Sequence, residues 1–387
     1  MLRVGVESWG LSGDLRYTGV GQYTVALLRE LPRLAPDLEL IAYGAPAEPR
    51  PEWLPAAVGW RPAGRQFNRR LAAIDTRLRQ LDGIVRSDRV DVFHVPGVHV
   101  RPSFPPVPRL SCPVVVTVHD ALPLTHYGGN LPLRLRVFYR WNLARALSAD
   151  RVITVSDDSR DQISQSTGTD PGRIAVIPNG LYFPPNPDPA LLGPLGVTTP
   201  YLLYAGSYEP RKNLGAALEA FRLIREAGHP HRLVAVVERD SGHAPALLAQ
   251  LDRLGLAGHV TLLHSLPEPD LRALYTQAEL LIFPSLAEGF GFPPLQAAAC
   301  GVAVVASDLP VLRQTMGEAA TFAKTGDARS LASAVLDLLD DPERRRALAG
   351  RGPERARAFG LEAFAARHLE VYRAVASPVP GVLLAPS

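Results

Sequence analysis

Lysine is nearly missing from this chain. Of its 41 basic residues only Lys212 and Lys324 are lysines, and arginine supplies the rest. A lysine kept in such a background points to a place where a compact, movable ammonium does what a planar guanidinium cannot. Cysteine and methionine are equally scarce, two of each. Cys112 and Cys300 lie in apolar surroundings, with neither a C-x-x-C pair nor His-rich spacing nearby. They read as small buried side chains, and no protein-built metal site is expected. No apolar run reaches the ~18 uninterrupted residues of a membrane-spanning helix. The start, Met1-Leu-Arg-Val-Gly-Val, reads as a strand and not as a signal peptide. These absences favour a cytoplasmic protein, at most peripheral to the inner face of a membrane.

What is present is enough for two ordinary domains, since the chain has 387 residues, 47% of them apolar. Its net charge of +3 is unevenly spread. Residues 1–182 hold 22 Arg against 17 Asp/Glu (+5), and residues 183–387 hold 19 Lys/Arg against 21 Asp/Glu (−2). One basic helical pattern has Phe67, Leu71, Ile74, Leu78, Leu81 and Val85 on one face, with Arg69, Arg70, Arg77 and Arg79 elsewhere. Another interleaves Arg134, Arg136, Arg140 and Arg145 with Phe138, Tyr139 and Trp141. Either pattern suits a core-facing helix with a solvated charged face, or a surface for anionic lipid or a phosphate-bearing acceptor. No nucleic-acid-binding motif accompanies the charge.

Short β-rich runs alternate with helical patterns throughout, the signal of parallel sheets with crossover helices. Strands are expected at Val4–Glu7, Leu40–Tyr43, Val90–His94, Val114–Val118, Val152–Val155 and Ala175–Ile177. A second series comprises Tyr201–Ala205, Leu233–Val237, Val260–Leu263, Leu280–Phe283, Ala303–Ala306 and Ala320–Phe322. Between the series, residues 183–200 are Pro-rich and read as an interdomain linker. Residues 1–182 and 201–360 are then the two domains, with a helix at about 361–375 and a loose tail over 377–387.

Two strand–loop–helix units stand out. After Leu280–Phe283 comes Pro284-Ser-Leu-Ala-Glu288-Gly-Phe290-Gly291-Phe292-Pro-Pro-Leu-Gln296. Pro293 and Pro294 suit a helix start, where free N–H groups can hold an anion. Gly289 and Gly291 permit close backbone approach, and Glu288 is expected at an open mouth, able to accept hydrogen bonds from hydroxyls. Phosphate donors beside a hydroxyl acceptor suit a nucleotide-sugar. After Tyr201–Ala205 comes Gly206-Ser-Tyr-Glu-Pro-Arg211-Lys212-Asn213. Lys324 has no such context and reads as a surface residue.

The first unit resembles the E-G-F-G-x-P-x-x-E-A-x-A-x-G signature of retaining glycosyltransferases of family 4, and the second resembles that family's G-S-x-x-P-R-K-N loop. The resemblance covers about residues 1–375. It implies an α/β chain of the GT-B fold, two doubly wound Rossmann-like domains facing a central cleft, whose last helix crosses back onto the first domain. It implies a retaining, metal-independent hexosyltransferase with a nucleotide-sugar donor as substrate, no separate cofactor, and a glycan or lipid-linked acceptor. Arg211 and Lys212 would grip the donor diphosphate. Glu288 and the backbone of Phe290, Gly291 and Phe292 would meet the sugar and diphosphate. The loop after the first strand that carries Gly19 and Gly21 would close over donor and acceptor, with these glycines meeting the donor. His119, at the end of the Val114–Val118 strand, would contact donor-sugar hydroxyls, with Asp120 orienting it or the following loop, and His94 is a weaker candidate. Gln296 departs from the family, which shows Glu there for the ribose hydroxyls. Glu238-Arg239 and His264-Ser265 depart where the base is held. The G-S-x-x-P-R-K-N form leans towards GDP-mannose, with UDP- or another NDP-hexose open. Gln296 also leaves open a catalytically weak GT-B protein serving as a partner or scaffold. A nucleotide-sugar epimerase finds no support in these motifs. A glycogen-type phosphorylase would need a pyridoxal-phosphate lysine, which the loop around Lys212 does not suggest.

Overall fold

The computed structural model describes residues 1–13, 16, 18–45, 48–63, 80–99, 106–125, 132–237, 244–264 and 266–377. The chain divides into two compact units. The first is Met1–Gly180 together with the segment from Gly360 onward, and the second is Leu181–Phe359.

The first unit is built on seven strands: β1 (Arg3–Glu7), β2 (Glu39–Gly44), β3 (Gly59–Pro62), β4 (Val92–Val95), β5 (Val114–Thr117), β6 (Arg151–Thr154) and β7 (Ile174–Val176). They lie in the order β3-β2-β1-β4-β5-β6-β7, every pairing parallel. The second unit has six: β8 (Tyr201–Gly206), β9 (Arg232–Val237), β10 (Val260–Leu263), β11 (Leu280–Phe283), β12 (Ala303–Ser307) and β13 (Thr321–Ala323). Their order is β10-β9-β8-β11-β12-β13, again all parallel. Helices cover the sheets, so central strands such as Leu280–Phe283 are buried along their whole length. That burial is why they read as unbroken apolar runs.

The strand order reverses direction between β1 and β4, and again between β8 and β11. Loops leaving the carboxyl ends of such a pair splay apart and leave a crevice. This is the one topological fact that positions the candidate site.

Two sequence expectations need correction. Strand β3 was not foreseen: Gly59-Trp-Arg-Pro is an edge strand, mostly exposed, with no apolar run to announce it. Residues 183–200 are not a free linker. They belong to the second unit, where Phe183, Leu192 and Val197 are buried. Phe183 packs edge-on to Tyr275 at 5.2 Å, the Asn186 amide donates to Thr276 Oγ1 at 2.8 Å, and Asp188 caps a 3-10 turn at Pro189–Leu191. Proline spacing suggested a linker, but the apolar residues among the prolines give the segment something to bury. The expected tail falls mostly outside the described residues, as do residues 64–79 of the first basic pattern.

The last helix, Leu361–Ala376, lies in the first unit and buries Phe364, Ala365, His368, Leu369, Val371 and Tyr372. A buried polar chain fastens it. His368 Nδ1 meets the Phe364 carbonyl at 2.7 Å, so its N–H donates there and Nε2 is left to accept from the Tyr23 hydroxyl. Tyr23 then accepts from Thr117 Oγ1 at 2.7 Å, Thr117 accepts from His94 Nε2 at 2.9 Å, and His94 Nδ1 accepts from Tyr372 at 2.7 Å. One carbonyl at the end fixes every proton in the series. All five side chains are buried, and burial holds His368 down to about 4 and His94 well below the usual imidazole range.

A histidine with a depressed native pKa takes up its proton more readily in the unfolded chain. Its stabilising contribution is complete above the unfolded value of about 6.5 and is lost as pH falls towards the folded value. The melting temperature of the first unit should therefore fall between pH 7 and pH 5. His368→Gln should lower it at pH 7 and flatten that dependence in thermal melts followed by near-UV circular dichroism. An unchanged slope in the variant would mean that His368 titrates like a solvated imidazole.

Candidate functional site

The site in the second unit starts from two loops made neighbours by β8 and β11. The β8 loop turns through Pro210–Lys212 into the helix Leu214–Glu226. Asn213 closes that turn with φ 53°, a left-handed conformation that asparagine tolerates better than most residues. Its side-chain amide donates to the Pro284 carbonyl at 3.2 Å, and Leu286 N–H donates to the Arg211 carbonyl at 2.7 Å. The buried Tyr204 hydroxyl holds the same loop from below through the Ser207 and Lys212 carbonyls, at 3.3 and 3.2 Å.

This lacing brings Glu288 against both cations. Lys212 Nζ lies 2.7 Å from one carboxylate oxygen and Arg211 NH1 3.4 Å from the other. The Lys212 ammonium also sits 5.4 Å from the centre of the Phe283 ring, a cation–π contact. Glu288 is 7% exposed. The expectation of an open, exposed carboxylate is thus corrected: the loops fold over it and engage both its oxygens. Burial pushes its pKa upward, but the Lys212 and Arg211 charges outweigh that and hold it below the usual carboxylate range. Glu288 is accordingly ionised at neutral pH. A carboxylate offers about four lone-pair positions, so two cation contacts leave room for a hydroxyl.

The other expected residues follow directly along the chain. Gly291 has φ 95° and precedes the helix Phe292–Ala299. A Cβ there would come within 2.5 Å of Leu312 Cδ2, so only glycine fits, for conformation and for space. With Pro293 and Pro294 contributing no N–H, the helix start offers the N–H groups of Gly291 and Phe292. Phe290 is buried, edge-on to Phe292 at 5.3 Å and to Phe359 at 5.6 Å. Gln296 lies on the helix and is 7% exposed. Sequence reading missed Glu209, whose carboxylate binds Arg211 Nε at 2.8 Å. Its charge directly before the Pro-Arg-Lys turn was the available signal. Tyr204 and Phe283 were missed as supports because they read simply as strand residues.

The first unit has its own crevice at the β1/β4 switch, lined in part by Glu7, Ser8, Trp9, Thr18, Gly21 and His99. Thr18 caps the helix Gly19–Leu34 by accepting from Gly21 N–H at 3.2 Å. Gly19 opens that helix with free space where a Cβ would stand. His119 follows β5 and donates from Nε2 to the Pro96 carbonyl at 2.8 Å, with its ring edge-on to Tyr23 at 5.0 Å. Burial lowers its pKa to about 4, so the ring is neutral at pH 7 and Nδ1 bears a lone pair. Asp120 accepts from Leu122 N–H at 3.1 Å, shaping the following turn. His94 is corrected as a candidate: it is fully buried with both ring nitrogens in the polar chain. His99 was missed, and burial lowers its pKa to about 4 as well. Glu238, Arg239 and Ser265 lie outside the described residues.

Two Rossmann-like units of parallel strands, with charged and glycine-bearing loops at the carboxyl ends, define the GT-B architecture of sugar-nucleotide-dependent transferases. Comparison with known proteins agrees. Residues 17–182 match the model of Glycosyltransferase Family 4, and residues 194–355 match that of Glycosyl transferases group 1. The chain belongs to this group 1, family 4 class of glycosyltransferases. It is 31% identical over 233 residues to O-antigen chain mannosyltransferase B of Escherichia coli, covering 58% of this chain and 61% of that protein. It is 32% identical over 238 residues to the D-inositol 3-phosphate glycosyltransferase of Thermobispora bispora, covering 58% and 56%. The matched region thus spans about three fifths of these relatives. Sucrose-phosphate synthase from Thermosynechococcus elongatus shares the fold, with TM-score 0.74, 20% identity, and 96% and 98% of the two chains covered.

Lys212→Ala would leave the buried Glu288 carboxylate with Arg211 alone. Breaking one side of such a pair costs on the order of 3 kcal/mol. Because the native pKa of Glu288 is depressed, its contribution is present above the unfolded value and disappears as pH falls through the folded one. Acid unfolding of the second unit should therefore begin at higher pH in Lys212→Ala. Lys324→Ala, whose ammonium is exposed and 3.8 Å from Asp327, should behave as the parent. Coincident acid transitions for all three proteins would show that Lys212 does not support Glu288.

Proposed function

We propose that this chain transfers a hexose from a nucleoside-diphosphate sugar to a hydroxyl of a glycan or lipid-linked acceptor, with retention at the anomeric carbon. The observation that carries the reading is the meeting of Arg211, Lys212 and Glu288 at the β8/β11 switch point. Expelling a diphosphate puts negative charge on the leaving group while the anomeric carbon becomes cationic. Arg211, Lys212 and the helix start at Phe292 meet the first demand without needing a divalent metal. The ionised Glu288 meets the second by accepting from sugar hydroxyls and stabilising positive character nearby. The other carboxylate of the cluster, Glu209, is tied to Arg211, so the paired-carboxylate scheme of retaining hydrolases is not invoked. In front-face transfer the acceptor oxygen bonds to the anomeric carbon on the side where the phosphate bond breaks. The departing phosphate oxygen takes the acceptor proton. In the first unit His119, neutral with Nδ1 as an acceptor, can take a hydrogen bond from a sugar hydroxyl.

GDP-mannose is the favoured donor, on the form of the Gly206–Asn213 loop and the likeness to an O-antigen mannosyltransferase. Incubation with a panel of nucleotide sugars, following release of free nucleoside diphosphate, tests the reading. Turnover of one GDP- or UDP-hexose is expected, falling at least a hundredfold in Glu288→Gln while near-UV circular dichroism stays native. No release from any donor would favour the second reading, a GT-B protein acting as a partner or scaffold, which the Gln at 296 motivates.

Gln296 is assigned to the ribose hydroxyls. Gln296→Glu restores a charge-assisted acceptor and should tighten nucleoside diphosphate binding several-fold, about 1 kcal/mol. A slightly lower melting temperature should accompany it, because a carboxylate loses hydration at so buried a position. Calorimetric titration of both proteins checks this, and equal or weaker binding by the variant would move Gln296 away from the ribose.

A further inference from the structure

The helix Leu133–Leu147 of the first unit is apolar on two sides. Its inner side, Tyr139, Asn142, Leu143, Ala146 and Leu147, is buried. Asn142 pins it by accepting from Val107 N–H at 2.8 Å and donating to the His99 carbonyl at 3.2 Å. That anchoring fixes what the helix shows to solvent. Leu133 is 72% exposed, Val137 60% and Trp141 45%. The three stand at i, i+4 and i+8, one stripe about 12 Å long on a single face. Phe138 leans on Trp141 at 5.8 Å, and the Arg145 guanidinium lies 5.3 Å from the Trp141 ring centre, so the indole is held in place. Scattered single exposed apolar residues need no explanation, but a contiguous stripe does.

The charge around the stripe names its partner. Arg134, Arg136 and Arg140 are exposed and enter no ion pair among the described residues, and the helix contains no Asp or Glu. We propose that this face is an interfacial membrane anchor, laying Leu133, Val137 and Trp141 into the headgroup boundary of a bilayer rich in anionic lipid while the arginines bind the headgroups. A second copy of the chain fits worse, because a symmetric contact through this face sets arginines against arginines. The proposal goes beyond sugar transfer and stands or falls apart from it.

Sedimentation of the full chain with large vesicles tests it. Binding is expected to vesicles of phosphatidylcholine mixed with phosphatidylglycerol, not to phosphatidylcholine alone, and should weaken with added salt. Neutralising one arginine near an anionic surface should lower the partition coefficient about fivefold, so R134Q/R136Q/R140Q should lose roughly a hundredfold. Trp141→Ser should weaken binding too, and brominated acyl chains should quench tryptophan emission in the parent but not in that variant. Arg222→Gln, on a surface helix of the second unit, is the control and should bind as the parent. The arginines are exposed and enter no ion pair among the described residues, so the triple variant should melt as the parent does, and a matching melt separates lost binding from misfolding. Absence of binding to anionic vesicles, or equal binding by the triple variant, overturns the proposal. So does a lipid-free dimer, seen by sedimentation equilibrium, that Trp141→Ser dissolves.

Discussion

The ionised carboxylate of Glu288, 7% exposed, depends on the cations beside it, and much of the second unit serves that requirement. Lys212 and Glu288 are 76 residues apart in sequence. They meet because β9 and β10 leave to one side of β8, and the chain then returns to lay β11 on the other. The ion pair therefore depends on the crossover topology. The carbonyls of Arg211, Pro284 and Lys212, tied to Leu286, Asn213 and Tyr204, convert that adjacency into a fixed distance. Gly291 must then turn sharply, since Leu312 leaves no room for a side chain.

The first unit uses the same topology with different chemistry. Its switch point lies between β1 and β4, and His119 ties the β5 loop to the β4 loop through the Pro96 carbonyl. Here the buried groups that join the last helix to the sheet are neutral: tyrosine and threonine hydroxyls, and histidines whose burial keeps them unprotonated. A chain of hydroxyls and imidazoles needs no counter-charge, only a complete order of donors, and the Phe364 carbonyl imposes one. The same residues bind the last helix to β4, β5 and the Gly19–Leu34 helix. The ring of Tyr23 at the centre of this chain is also the surface against which His119 stands.

How much of this was legible in the sequence differs by kind of information. Parallel strands buried on both faces announce themselves as apolar runs, and all but β3 were foreseen to within one or two residues. β3 is an edge strand with a tryptophan, an arginine and a proline, and nothing periodic marks it. The motif residues of the second unit were legible because glycine, proline and a rare lysine each carry conformational or chemical meaning at a single position. The burial of Glu288 was not, because it depends on loops brought together by strand order. The same limit hid the role of Tyr204 and the packing of Phe183. His94 shows the converse error: its place at a strand end suggested a site, whereas a helix more than 270 positions further along encloses it.

The charge balance of the second-unit site sets which contacts can change partners. Among the described residues two carboxylates, Glu209 and Glu288, pair with two cations, Arg211 and Lys212. The two cations are held unequally. Lys212 is the costly one to move: its contact with Glu288 is short and buried, and leaving would strand an ionised carboxylate. Arg211 is different. Its contact with Glu288 is long at 3.4 Å, and its shorter pair with Glu209 involves a carboxylate that is 44% exposed, where ion pairs contribute little. Arginine also offers five donors in a fixed fork, enough to keep one partner while engaging another. Chemistry and geometry thus divide the work between adjacent residues. The lysine keeps Glu288 ionised and in place, and the arginine bridges Glu288 and the more exposed Glu209. That division gives a physical reason for a lysine to persist at position 212 in a chain that otherwise uses arginine almost everywhere.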